Sequence, residues 1–480
     1  MRRRFAVDFL CWRWAVKKDK VLPNSVGIEF EGGLREEVTA HAGVALFVET
    51  GRRSGVMAKA DRVVPAKKNP KGLSQSQMVE SFALLSALGG ECIDDFEKLR
   101  EDRGLEALVG YPLPAPSTAR AWLERCHDEG AVAARPMQGS FIPRESGGLV
   151  GLRELVAQSV RAYVSAVKPG PEVTVDVDAH LVESSKREAL MTYEGFRGYQ
   201  PMVVSWAEEE LILADQFRDG NVPASKGIRE MVDEAYAALP DRAQGWAVRV
   251  RSDSAAYDQG LLGHWDGRGW KFAVTADMSP QLREEIGGVR PEEWQLWEEE
   301  KGGFVREWAE VPFVPSRRVE KRDAMPYRYL AIRIRSSQGV LFGDGSQVKL
   351  FAVVTNDWEQ NGRALLEWHR GKAGTVEHAH RVLKDELAAG VYPSGKFGAN
   401  AAWLRLQVLT HNLLVLMKAV ALDKEYRNAR PKRLRFAIFN HVGRVVHHAR
   451  QMLMRVFQRV FYRVIRPGFK RLHAATWAAT

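Results

Sequence analysis

Three separated stretches of this chain place acids where acids can do chemistry: VTVDVDAHLV (173–182), RSDS (251–254) and GTVEHAH (374–380). The first reads as a strand with Val173, Val175, Val177 and Ala179 on one face and Thr174, Asp176, Asp178 and His180 on the other. Asp176 and Asp178 then lie about 6.6 Å apart along one face. Like charges at that spacing repel unless solvent or a cation separates them. A solvated sheet face is one explanation and a metal ion the other. Asp253 ends a later strand, and Glu377 opens a late helix. Carboxylates from three separate elements, without a Cys pair or clustered His, suit hard oxygen-binding ions such as Mg2+ or Mn2+. Two such ions, about 3.5–4 Å apart, activate a water or hydroxyl and stabilise the leaving oxygen in phosphodiester chemistry. Plainer roles exist for each acid. An aspartate at a strand end caps helices, and a glutamate in a first turn is favoured by the helix dipole. An Asp-x-Asp also holds nucleotide-sugar metals, but no glycine-rich nucleotide loop accompanies this one.

The elements around these acids set their order. After strand 173–182, the runs GYQPMVVSW and ELILADQFR, joined by the polar AEEE, read as an antiparallel hairpin. SKGIREMVDEAYAALP places Ile228, Ala235 and Leu239 at helical spacing, with Ser225 as candidate cap and Pro240 after the end. GWAVRVRSDS returns as a strand ending in Asp253, and YDQGLLGHWDG and WKFAVTA add a helix and a fifth strand. Three strands, a crossover helix and a fourth strand predict a mixed five-stranded sheet, with the ends of its parallel strands side by side. Residues 277–365, acidic and Trp-rich and then strand-like, interrupt that order as a β-rich insertion. GTVEHAHRVLKDELAAG is a helix with Thr375 as candidate cap, Gly390 as stop, and Val376, Ala379, Leu383 and Leu387 as its buried stripe. Near the start, GVALFVE reads as a strand. GLSQSQMVESFALLSALGG reads as a helix capped by Ser74 or Ser76. A later helix, in YPLPAPSTARAWLERCHDE, bears Arg120 and Arg125; such a module docks on DNA or is a plain bundle.

A chain of 480 residues, 45% hydrophobic and 27% charged, is that of a globular protein of two or three domains. Its net charge of +10 is unevenly spread. Residues 426–480 hold 13 Lys and Arg and no acid, so the remainder sums to 10 − 13 = −3. A basic tail of this kind meets nucleic acid. RQMLMRVFQRVFYRVIRPGFKR sets Arg455, Arg459, Arg463 and Arg466 on one stripe of a predicted amphipathic helix suited to a DNA backbone. Cys11, Cys92 and Cys126 are odd in number and form no Cys-x-x-Cys, which argues against disulfides and zinc and for a reducing compartment. No uninterrupted apolar run approaches 18 residues, so no membrane span is expected. MRRRFAVDFLCWRW lacks the apolar length and cleavage site of a signal peptide.

Taken together, VDVDAHLVESSKREALMTYEGFRGYQP, FRDGNVPAS, VRVRSDSAAYD and WHRGKAGTVEHAHRVLKDELAAGVYPSGKFGANAAWLRLQVLTHNLL resemble the DDE transposases of bacterial insertion sequences. The resemblance implies an α/β, ribonuclease-H-like fold with a β-rich insertion and flanking helical regions. It divides the chain into an N-terminal DNA-binding region (1–165, largely helical after 70), a first catalytic part (166–276), the insertion (277–365), the last catalytic part (366–420) and a basic helical tail (421–480). The family's first acid falls within Asp176-Val177-Asp178. Asp178, followed by a small residue, is favoured, but His180 stands where the family has threonine, so both remain candidate catalytic and metal-binding residues. The second acid falls on Asp253 and the third on Glu377. Lys384 follows after six intervening residues, as in the family's Tyr-Arg-Glu-Lys signature, while Arg370 stands at the tyrosine position and Ala373 at the arginine position.

The activity implied is metal-dependent cleavage at element ends and transfer of the freed 3′-hydroxyl into target DNA, with two Mg2+ or Mn2+ ions. The implied partners are terminal inverted repeats and target DNA, bound by a homodimer in the bacterial cytoplasm, nucleoid-associated, without a membrane. Lys384, Arg370, Arg120, Arg455, Arg459 and Arg463 are the candidate DNA contacts. A catalytically silent DNA-binding protein, or a nuclease without strand transfer, are the alternative functions. Trp294, Trp297 and Trp308 could stack on a flipped base, but their spacing fits core better.

Overall fold

The computed structural model describes residues 36–477 apart from 67–70, 244, 301–302, 316–325, 337–341, 344 and 450. The basic N-terminal stretch and Cys11 lie outside the described residues. Helix α1 (Gly147–Val167) leads into strand β1 (Glu172–Ala179). Strands β2 (Met202–Trp206) and β3 (Leu211–Gln216) follow as an antiparallel hairpin on β1. Helix α2 (Ile228–Ala238) then carries the chain across to β4 (Ala247–Ser252), which pairs parallel with β1. After helix α3 (Gln259–Gly267), strand β5 (Lys271–Thr275) pairs parallel with β4. The spatial order β3-β2-β1-β4-β5, with β2 alone antiparallel to the others, is the ribonuclease-H-like sheet. Ser225 does not cap α2; Gly227 does, with φ of 84°, a backbone conformation that glycine adopts without a Cβ penalty.

The alternation in β1 does not separate a wet face from a dry one. Val173, Val175 and Val177 are buried, but so are Thr174 and Asp176. A central strand covered on both sides buries both of its faces. Helix α4 (Gly362–Arg370) and helix α5 (Lys372–Glu386) lie over the polar face. There, Trp368 donates from Nε1 to Thr174 Oγ1 at 3.3 Å.

The insertion extends this sheet. Strands β6 (Gln295–Glu300), β7 (Phe304–Val311), β8 (Arg328–Ser336) and β9 (Val348–Thr355) form an antiparallel meander. Its last strand pairs with β5, Val354 opposite Val274. The result is one nine-stranded sheet in the order β6-β7-β8-β9-β5-β4-β1-β2-β3. Trp297 and Trp308 are buried in a small core with Leu330, Val353, Leu365 and Leu366, as their spacing suggests. Trp294 is half-buried, with the Arg333 guanidinium 4.1 Å from its ring centroid.

Helix α6 (Phe397–Ala421), 25 residues long, is buried along nearly its whole length. By length and composition it could cross a membrane. Here it packs against α1 and the N-terminal helix Gln75–Leu88, so sheet and N-terminal helices share one core. Ser74 caps that N-terminal helix in a capping box with Gln77.

Two expectations fail. GVALFVE is not a strand: Ala45–Arg53 is helical, with Leu46, Phe47 and Val48 buried. A short apolar run without alternation fits either structure, and packing decides. The basic tail is not one helix. Strands β10 (Gly443–His448) and β11 (Gln451–Val456) form a hairpin, and Val38–Thr39 pairs with β10 as a third strand. Arg455 therefore lies on a strand opposite Arg444, off any stripe with Arg459 and Arg463. Helical structure resumes only at Gln458. Val445, Val446 and Val456 favour the pleated form, with Val445 on its buried side.

Candidate active site

The sheet brings the predicted acids to one end of β1 and β4. Asp178 is the penultimate residue of β1, and Asp253 directly follows β4. Because those strands run parallel, their C-terminal ends are neighbours. Helix α5 lies across the same end. Its Lys372 places Nζ 3.0 Å from Asp178 Oδ1 and 3.6 Å from Asp253 Oδ2, with only 12% of its side chain exposed. Burial alone would lower the Lys372 pKa, but the Asp178 and Asp253 carboxylates outweigh it and hold the ammonium above the usual lysine value. Glu377 is exposed and has no side-chain partner among the described residues. It lines a cleft of about 400 Å3 together with Asp253, Lys372, His369 and Arg370, whose far wall includes Trp297 and Phe351 of the insertion.

Asp176 plays a different part from the one its position suggests. Its two oxygens accept from Arg251 Nε at 2.6 Å and Nη2 at 2.7 Å, and it also accepts from the Thr375 hydroxyl. Asp176 is fully buried, and Arg251 stands opposite it in the parallel register of β1 and β4. Both lone-pair faces of this carboxylate are occupied, whereas Asp178 reaches Lys372, a residue that lines the cleft. Neither explanation offered for the doubled aspartate holds for Asp176, which is half of a buried ion pair. Thr375 is likewise not a cap. Helix α5 starts at Lys372, after a single shared residue, Gly371, that ends α4. A Cβ at Gly371 would lie 2.7 Å from Arg251 Nη1, so the glycine leaves room for the clamp.

Two histidines support the site. His369 on α4 faces the Ser252 carbonyl at 3.1 Å, and burial pushes its pKa down to about 4. His380 on α5 stands 3.5 Å from Asp178 Oδ2, and burial pushes it to about 4 as well, so both imidazoles are neutral at pH 7. The other predicted residues scatter. Arg370 is ion-paired to Glu298 of β6 at 2.5 Å at the cleft's edge. Lys384 is exposed two turns beyond Glu377. Arg120 pairs with Asp94 at 3.2 Å in the N-terminal helices, and Arg459 and Arg463 line a separate cavity by the C-terminal helices.

The donor chemistry fits a hard divalent cation: Asp178 and Asp253 offer oxygens and already share one positive charge. Among the described residues, however, no three His, Cys, Asp or Glu side chains converge closely enough to hold a metal by themselves. Lys372 fills the gap between two acids, and the third is on the cleft wall.

Lys372, Arg251, His369 and His380 were not among the residues singled out from sequence. One signal was present for Lys372, since a cation in a first helical turn opposes the helix dipole. It also lies next to Ala373, where an arginine was expected. For Arg251 the signal is an arginine on the same face of β4 as Arg249, opposite the face that carries Val248 and Val250.

The sequence matches the family model described as Transposase DDE domain group 1 over residues 18–475. No curated protein matches it. Among solved structures, the chain is similar to the piggyBac transposase synaptic complex with hairpin DNA, determined by cryo-EM, with a TM-score of 0.44 and 9% identity. That alignment covers 82% of this chain and 79% of the other. The match to residues 18–475 spans the strands, the insertion and the acid-bearing helix alike, and the chain belongs to the DDE transposase family.

Proposed function

We propose that this DNA transposase cuts and joins DNA with Asp178, Asp253 and Glu377. The observation carrying this reading is the pair of carboxylates, Asp178 and Asp253, that share one cation at the ends of adjacent parallel strands, beside a cleft lined by Glu377. DDE transposases generally work with divalent ions, and Asp178, Asp253 and Glu377 are the residues that would hold them here. Such an ion, Mg2+ or Mn2+, lowers the pKa of the attacking water or 3′-hydroxyl and neutralises the leaving oxygen. Arg251 and Thr375 keep Asp176, and through it the strand, in register. His380, buried and neutral, stands 3.5 Å from Asp178 Oδ2 on the inner side.

Arg370 and Lys384 flank the acids and supply charge for a DNA phosphate. Arg120 and the N-terminal helices, together with Arg455, Arg459 and Arg463, would carry the flanking duplex through backbone contacts. Two ends handled at once favour a homodimer on DNA.

The test is a reaction of purified protein with labelled element ends, a target plasmid and Mg2+ or Mn2+. Glu377→Gln, Asp253→Asn and Asp178→Asn should each abolish both cleavage and joining. Cleavage that survives all three substitutions would refute the assignment. Cleavage without joined product in the unsubstituted protein would instead favour a nuclease.

A further inference from the structure

Lys372 is where the site departs from a simple cluster of acids. Its ammonium occupies the space between Asp178 and Asp253, and no other described cation lies within ion-pair distance of both. The position is costly on local grounds: a lysine in the first turn of a 15-residue helix faces the positive end of the dipole and gives up hydration on burial. The neighbouring residue Ala373 faces the open cleft and would carry a cation there without that burial. The local cost is offset chiefly by the two carboxylates, with a smaller contribution from Asp176. Without Lys372, those acids would repel each other across a partly desolvated gap.

We propose that Lys372 is a resident cation of the active site, which holds Asp178 and Asp253 in place before a divalent ion arrives and competes with that ion for them. The inference rests on the reading of Asp178, Asp253 and Glu377 as the metal-holding acids. Lys372 is thus a positioning residue. It keeps the protein from loading metal firmly in the absence of DNA, and when it is displaced its ammonium swings into the cleft toward the side where a DNA phosphate would lie.

The experiment measures Mn2+ binding to the full chain without DNA by electron paramagnetic resonance of free Mn2+. It compares the unsubstituted protein with Lys372→Gln, Lys372→Met and Lys372→Arg. Removing the competing charge should tighten Mn2+ binding by about tenfold or more, the scale on which neighbours of metal ligands act. Lys372→Arg, which keeps the charge, should bind as weakly as the unsubstituted protein. Far-ultraviolet circular dichroism checks the fold, and the Met variant, which keeps most of the stem, stands in should the Gln variant not fold. Equal or weaker Mn2+ binding in the neutral variants would overturn the role of Lys372. Adding Asp253→Asn to the neutral variant should remove the tightened binding. If it does not, or if no variant binds Mn2+ at all, the metal-holding role of the acids fails, and the inference falls with it.

Discussion

Arg251 grips both carboxylate oxygens of Asp176, at 2.6 and 2.7 Å, in the protein interior. The pair joins β1 to β4, the two strands whose ends carry Asp178 and Asp253. Breaking a buried pair by removing one partner leaves an uncompensated charge and costs about 3–5 kcal/mol. Asp176→Asn should therefore lower the unfolding free energy by that amount in a urea titration. A loss under about 1 kcal/mol would mean that the pair is worth no more than one at the surface.

Glu377→Gln should behave in the opposite way. Glu377 is exposed and without a side-chain partner among the described residues, so its substitution should change stability by less than about 0.5 kcal/mol. Cleavage of DNA ends should nevertheless fall by about 100-fold or more, beyond what loss of a mere neighbour of a metal ligand costs. Unfolding and cleavage measured on the same preparation separate the two effects.

Acid should destabilise the fold above the range where carboxylates titrate. His369, His380 and His411 are all buried, and burial lowers each pKa to about 4. In the unfolded chain they titrate near 6.5. Between these values the unfolded state binds more protons, so stability rises with pH. The contribution of each histidine is complete above pH 6.5 and is lost as pH falls towards 4, on the order of 1–3 kcal/mol. Asp219, raised to about 6 by burial, works the other way over pH 4–6, and burial also raises Asp215 and Glu234. Burial lowers His127, His180 and His378 as well, however, so six histidines oppose three carboxylates. Urea midpoints should fall steadily from pH 7 to pH 4.5, and a flat profile would contradict this.

The tail should contribute charge without depending on a helical stripe. Arg455 lies on β11, whereas Arg459 and Arg463 follow the hairpin in helical segments. If each neutralises one DNA phosphate, replacing all three with Ala should reduce the slope of log K against log salt by about 2.7, at roughly 0.9 per contact. An unchanged slope in a filter-binding titration would remove these residues from the DNA interface.

The five-strand order and the acid-bearing helix were legible because each depends on local periodicity. Val173, Val175 and Val177 announce a strand, and Val376, Ala379, Leu383 and Leu387 a helix face, wherever the rest of the chain lies. What was not legible depends on register between distant segments. Nothing near Asp176 says that Arg251, 75 residues on, will stand opposite it, and only that pairing tells the two aspartates apart. The start of α5 was missed because Gly371 ends one helix and begins the next with no break in the backbone. The β-rich insertion was visible from its strand-like runs, but its continuation of the main sheet rests on three residue pairs between β9 and β5 that no local pattern encodes. The tail hairpin was hidden because its arginines also fit a helical spacing.

The shared cation between Asp178 and Asp253 arrives late in the making of the molecule. Lys372 lies 194 residues beyond Asp178. At about 5–20 residues per second, a ribosome delivers it roughly 10 to 40 seconds after that aspartate. Throughout that interval the growing chain holds the first strands of its sheet without α5. Its acids are then unmatched and open to water, and a contact of such long span also slows the final docking. The two carboxylates therefore gain their shared cation only once 372 of the 480 residues have been made.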